Sequence, residues 1–307
     1  MALDANIEGM RVLLLALACG LGLAPERGEA FWRAIAREGM AVPEGERAAE
    51  LLGEFDELFA SRDAFLRDQL GYGLAERWIL RERALSPEEA RGLAATWVGW
   101  LGRGLGEEGS DTVLVRAFTA LDLSLLAALD LDAPFLGDDG FAALLDGALD
   151  SLANERDLRG WQDGVGWIHA TAHTADLLEF LARSPRLDAD GQARILEGIA
   201  LRMSEPGPPV FVFDEDERLA SAVVSVLARE DLASDAFAAF LELCRAPLAP
   251  AAPGAAEFEP ARFAARRNTR NLLRAVHERL DLAAELPAHL VGPREALRGA
   301  LRAYRGG

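Results

Sequence analysis

Ser86-Pro87-Glu88-Glu89 opens a run of apolar residues that closes in the glycine-rich turn 102–109, and Ser110-Asp111 then opens a second run through Leu129. The first tetrapeptide supplies an N-cap, a proline for the first helical position and a glutamate placed to complete a capping box. The second run carries Val113, Leu114, Phe118, Leu121, Leu125 and Leu126 at helical spacing. Together they predict two antiparallel helices joined by a short loop, and this hairpin decides the fold.

The same grammar extends in both directions. Upstream, Pro25 precedes a segment with Phe31, Trp32 and Ile35, an acidic amphipathic segment runs from Glu44 to Phe59, and a longer one from Arg62 to Arg83. Downstream, helices are expected from 137 to 152, 163 to 183, 188 to 204, 214 to 229, 233 to 246, 259 to 282 and 293 to 304. Glu205-Pro206-Gly207-Pro208-Pro209 breaks one of them, and the Pro- and Ala-rich stretch 248–256 is a low-complexity loop within one domain. Apolar composition dominated by Ala and Leu favours helix over strand throughout. The expected fold is all-α, a HEAT/armadillo-like α/α solenoid of stacked helical hairpins, with a closed α/α toroid as the alternative. Residues 25–307 read as a single helical-repeat domain.

Residues 1–24 read differently. Met10-Arg11 precedes the apolar stretch 12–24, which has signal-peptide length and could equally be a first buried helix. It is too short for a stable transmembrane span. The sequence therefore allows either a cytoplasmic or an exported protein.

The net charge of −18 repels a phosphate backbone, so nucleic acid is not an expected partner. All 32 basic residues are arginine, which excludes lysine nucleophiles and Walker-type phosphate binding. Cys19 and Cys244 are too few for a disulfide framework or a cysteine metal site.

Chemistry concentrates in Trp167-Ile168-His169-Ala170-Thr171-Ala172-His173-Thr174-Ala175-Asp176, which holds two of the four histidines. On a helix, His169, His173 and Asp176 share one face. Two imidazoles and a carboxylate could hold a divalent metal (Zn, Fe or Mn), leaving positions open for water. The alternative is a hydrogen-bonded network in which neighbouring Glu155, Asp157 and Arg159 are paired and the histidines satisfy carbonyls. If the helices stack, Glu215 and Arg218 face the histidine helix across a groove, and Asp111 and Arg116 approach from the other side. Asn268, Arg270, Asn271 and Arg274, with Arg262, Arg266 and Arg267, form the one strongly basic stretch, read as a solvated face or as an anion site.

The run Glu155-Arg156-Asp157-Leu158-Arg159-Gly160-Trp161, followed by Gly166-Trp167-Ile168-His169-Ala170-Thr171-Ala172-His173-Thr174-Ala175-Asp176-Leu177-Leu178, resembles the bacterial family called domain of unknown function 2785. Ser110-Asp111, Val115-Arg116-Ala117-Phe118, Glu215 to Ala220, and Asn268 with Leu272-Leu273-Arg274 extend the resemblance over about residues 60–280. Family members carry Ser and an aromatic residue where this chain has Ala117 and His277. The resemblance implies an all-helical, HEAT-like fold and assigns no catalytic residue; some members look exported.

Two functions compete on this reading. One is a binding or scaffold module for a protein or peptide, with Glu155, Asp157, Arg159, Trp167, His169, His173, Asp176, Glu215 and Arg218 lining or bracing a groove. The other is a metal-assisted hydrolase with His169, His173 and Asp176 as ligands and Glu155 or Asp157 as general base.

Overall fold

A computed structural model describes residues 27–232, 235–249 and 258–304. The chain divides into two units, 1–39 and 40–307. In the first, the described residues form α1 (Glu29–Arg37), an amphipathic helix with Trp32 and Ile35 buried. The signal-like stretch 10–24 lies outside the described residues.

The second unit begins with two short helices, α2 (Ala48–Leu52) and α3 (Asp56–Phe59), where the sequence reading expects one. Gly53 closes α2 and the chain re-enters helix only after a turn. Next comes α4, a continuous helical segment over 65–81. Two of its stretches, Phe65–Tyr72 and Glu76–Arg81, are wound as π-helix rather than the α-helix expected from spacing. A wider turn changes which side chains share a face, and Arg67 is fully buried here.

The hairpin helices follow as α5 (Pro87–Leu101) and α6 (Thr112–Asp132). The capping box forms: Ser86 Oγ accepts from the Glu89 amide at 3.3 Å, and the Glu89 carboxylate accepts from the Ser86 amide at 2.8 Å. Those bonds hold the Glu89 carboxyl down at about 2. The remaining helices are α7 (Gly137–Asn154), α8 (Ala170–Arg183), α9 (Ala189–Ser204), α10 (Glu215–Leu227), α11 (Ala236–Leu243), α12 (Pro260–Asp281) and α13 (Val291–Ala303).

Packing joins alternate helices. One row runs α6, α8, α10, α12, each against the next; the other runs α5, α7, α9, α11, α13. This arrangement buries one helix almost all round. α6 is the one described helix long and apolar enough to cross a membrane, yet 83% of its most apolar stretch is covered by protein. Its position between α4, α5 and α8 accounts for that burial.

An aromatic cluster fills the junction of α3, α5 and α6. The Phe59 ring has no exposed surface and lies with its centroid 5.8 Å from Phe55, 6.2 Å from Trp97 and 6.3 Å from both Trp100 and Phe118. Two of its edge-on neighbours come from α5, so this one side chain ties three helices together.

The largest departure from the sequence reading lies just before α8. Residues 161–167 form a two-stranded hairpin, β1 (Trp161–Gln162) and β2 (Gly166–Trp167), with Trp161 opposite Trp167. The expected helix over 163–183 therefore starts only at Ala170. Asp163-Gly164-Val165 makes a three-residue hairpin loop, and Gly164 (φ 77°) and Gly166 (φ 89°) sit in left-handed backbone that a helix cannot use.

Replacing Phe59 by Ala should lower unfolding free energy by about 3–5 kcal/mol, the usual cost of a large cavity in a packed aromatic core. Ser86→Ala should cost about 1 kcal/mol by removing one cap bond. Chemical denaturation of both variants checks the pair; equal losses would contradict the placement of Phe59.

Candidate functional site

The hairpin is fastened at its base by backbone and side chains together. The Ile168 amide donates to the Gly160 carbonyl at 2.8 Å and the His169 amide to the Arg159 carbonyl at 3.1 Å. A Cβ on Gly160 would stand 2.0 Å from Phe213 Cδ2, so this chain needs glycine there for the Phe213 ring to lie against it. Arg67 reaches over from α4 and donates to the carbonyls of Val165 (2.8 Å) and Trp167 (3.0 Å), as well as to that of Ser61 (2.7 Å). Its guanidinium also lies 4.9 Å from the Phe118 ring centre. Asp68 Oδ1 is 3.0 Å from Arg67 Nε without the alignment of a hydrogen bond, so the carbonyls are the main acceptors.

Glu155, Asp157 and Arg159 form a buried network upstream of the hairpin. Glu155 is held in a two-pronged pair by Arg116 of α6, at 2.7 and 3.0 Å, and also accepts from the Asp157 amide at 2.9 Å. Asp157 accepts from the Gly109 amide and from two nitrogens of Arg159. Arg159 continues to Gln162 Oε1 at 2.6 Å and to the Ser110 carbonyl at 3.0 Å. From α9, Arg202 donates to the carbonyl oxygens of Leu152 and Glu155, and burial lowers its pKa to about 10. The network closes the ends of three helices around a cavity of about 630 Å³ that Glu155, Asp157, Arg159 and Arg202 help to line.

The histidines belong to a second cluster. His169 is the N-cap of α8 with left-handed backbone (φ 57°), and its Nε2 bonds to the Phe213 carbonyl. His173, inside α8, bonds through Nδ1 to the Ala117 carbonyl of α6 at 3.2 Å. A carbonyl only accepts, so each of those nitrogens carries the proton. Burial lowers the pKa of His169 and drives that of His173 well down, so both rings are neutral. Trp167 stacks on His169 at 4.8 Å, and the two imidazoles meet edge to face at 5.7 Å.

Glu215 and Arg218 face this cluster from α10, as stacking of the helices requires. Glu215 is buried; it accepts from the Phe213 amide at 2.9 Å, and its other oxygen is 3.9 Å from His169 Nε2. Burial raises its pKa. Arg218 pairs with Asp176, whose carboxyl is nevertheless pushed up to about 6 because burial outweighs the neighbouring charge. Asp111 turns the other way and pairs with Arg62 at the surface.

The expected metal set does not converge. His169, at the N-cap of α8, has its Nε2 engaged by the Phe213 carbonyl, and Asp176 is committed to Arg218. Among the described residues no group of three His, Cys, Asp or Glu side chains is arranged to hold a metal ion. The donor set does not fit Zn, Fe or Mn. The loop carboxylates and the histidines are likewise separate clusters, joined through the backbone of Arg159 and His169.

Sequence reasoning missed Arg67 and Asp122. Asp122 lies within α6 with no exposed surface, and neither carboxylate oxygen has a hydrogen-bond partner among the described residues. Burial raises its pKa well above the ordinary carboxylate value. Both residues interrupt apolar stripes, which is the one signal the sequence offers.

A family model described as Protein of unknown function (DUF2785) matches residues 101–277, more than half of the chain. The chain belongs to the DUF2785 family. The matched span contains both clusters, the hairpin and the cavity. No curated protein and no solved structure matches the DUF2785 chain.

Two expectations follow. Arg116→Met or Glu155→Leu alone should destabilise the fold by about 3–5 kcal/mol by stranding a buried charge, whereas the double variant should cost clearly less than their sum. Urea denaturation of the four proteins tests this, and additivity would contradict a direct pair. His173 has a folded pKa below its unfolded one, so its contribution is complete above about pH 6.5 and is lost as pH falls below that value. Asp176 slopes the other way: protonated in the fold up to about 6, it stabilises more as pH drops. The comparison is therefore differential. Relative to His173→Gln, the wild type should lose melting temperature between pH 7.5 and about 5.5; parallel curves would contradict the assignment.

Proposed function

We propose that the protein is a non-enzymatic binding module, a HEAT-like solenoid built from the two helix rows, that presents the tryptophan hairpin to a protein or peptide partner. The observation that carries this reading is the exposure of Trp161 (48%) and Trp167 (38%) on a hairpin fastened at its base and by Arg67. The two rings meet edge to face at 5.1 Å, and Trp167 continues to Phe213 at 5.8 Å, next to exposed Val212. Such a platform offers large apolar area with little loss of side-chain freedom on binding.

Exposed Asp163 and Asp214 flank the rings, and the whole chain is strongly acidic. The partner that suits this surface is a cationic segment, whose Lys or Arg side chains can lie over indole faces between carboxylates. The polar residues of the two clusters act as the brace that supports the rings, the histidines through carbonyls and the Arg-carboxylate pairs through the loop, rather than as a general base for hydrolysis. Glu155 and Asp157, the two candidates for that role, are held by Arg116 and Arg159.

A fluorescent Arg- and Lys-rich peptide titrated against the full chain tests the proposal. Affinity should fall roughly tenfold or more in Trp161→Ala, the loss of one aromatic anchor, with melting temperature unchanged because the ring is half exposed. Binding that is absent, or equal in the wild type and the variant, would overturn it.

A further inference from the structure

The end of the second unit carries a feature that the hairpin does not use. Between α12 and α13 lies a cavity of about 600 Å³ whose walls carry the guanidinium groups of Arg270, Arg274, Arg298 and Arg302, with Tyr304 and Leu301 also in its lining. On a chain of net charge −18 this gathering of like charge is exceptional.

Ordinary ion pairing does not account for it. Arg298 alone is neutralised, by Asp281 at 2.9 Å and Glu295 at 2.8 Å, and it donates through Nε to His277 Nε2 at 3.1 Å. Accepting there, His277 carries its proton on Nδ1. Arg270, Arg274 and Arg302 make no ion pair or hydrogen bond with a described residue, and the Nε of Arg270 is enclosed without an acceptor. Burial, with Arg267, Arg274 and Arg266 nearby, lowers the Arg270 pKa. One carboxylate, Glu278, lines the cavity against these charges. Tyr304 is buried and its phenol donates to the Cys244 carbonyl, so the ring is fixed rather than free to fold outward.

Three guanidiniums without partners among the described residues, around one space, call for a multiply charged oxyanion, since planar N–H pairs match phosphate oxygens two at a time. Leu301, half-buried in the wall, calls for an organic body attached to it. We infer that this cavity binds a small phosphate monoester, with Arg270, Arg274 and Arg302 holding the phosphate and Leu301 packing on the organic group. Glu278 opposes the anion and sets the net charge the ligand meets.

Calorimetric titration of the full chain with phenyl phosphate at fixed ionic strength tests the inference. Saturable binding should weaken roughly tenfold or more in Arg274→Gln and in Arg302→Gln, each losing a charge-assisted hydrogen bond. Both side chains are exposed, so the fold is retained. Glu278→Gln should tighten binding, and inorganic phosphate should bind more weakly than the ester. No saturable binding, or binding unaltered by the arginine substitutions, would overturn the site; equal affinity for phosphate and ester would overturn the role of Leu301.

Discussion

A guanidinium with no exposed surface holds the tryptophan hairpin to the helices. Arg67 leaves water to bond three backbone carbonyls, two of them in the hairpin strand and its loop, and its plane rests near the Phe118 ring. Desolvating a charge costs several kcal/mol unless hydrogen bonds replace the lost water. Here they do, and the carbonyls that accept them belong to a segment too short to be stable as an isolated hairpin. This arginine lies in the first π-wound stretch of α4, and its buried charge links that helix to the exposed tryptophans of the hairpin.

The histidines fit the same account. Each is neutral, each donates to a carbonyl from another segment, and each rests on an aromatic ring, Trp167 for His169 and Phe118 for His173. Imidazole suits this role because one nitrogen donates while the ring packs as an apolar plate. The Arg116–Glu155 pair and the Arg159–Asp157 pair stabilise the loop on the other side, fixing the ends of α6, α7 and α9 around the hairpin. Two polar clusters thus brace one aromatic surface from opposite sides of the chain.

Helix identity was legible where caps and stripes agree. Ser86-Pro87-Glu88-Glu89 and Asp188 announce α5 and α9, and the apolar spacing of α6 and α12 is unambiguous. The hairpin was not read, because His169, His173 and Asp176 at helical spacing outweighed the Asp163-Gly164 turn signal and the glycine at 166. The same spacing suggested a metal site; in the fold the left-handed His169 caps the helix, its Nε2 meets the Phe213 carbonyl, and Asp176 turns to Arg218. Arg218 opposite Asp176 was legible from stacking alone. Arg67 and Asp122 were not, since a charged residue inside an apolar stripe reads as a gap in the pattern until its partners, or lack of them, are seen. Gly160 carried a family signal whose cause, the Phe213 ring, comes from a distant segment.

Both histidines are held as hydrogen-bond donors to backbone carbonyls, a role distinct from that of a metal-binding pair. Nitrogen-15 NMR of the imidazole rings tests it most directly, because it reports protonation and tautomer at each nitrogen. Both rings should be neutral at pH 8, His169 protonated at Nε2 and His173 at Nδ1, should titrate below the ordinary histidine pKa of about 6.5, and should not change on adding Zn or Mn. Titration of either ring at that ordinary value, the opposite tautomers, or a metal-induced shift shared by both rings would contradict it.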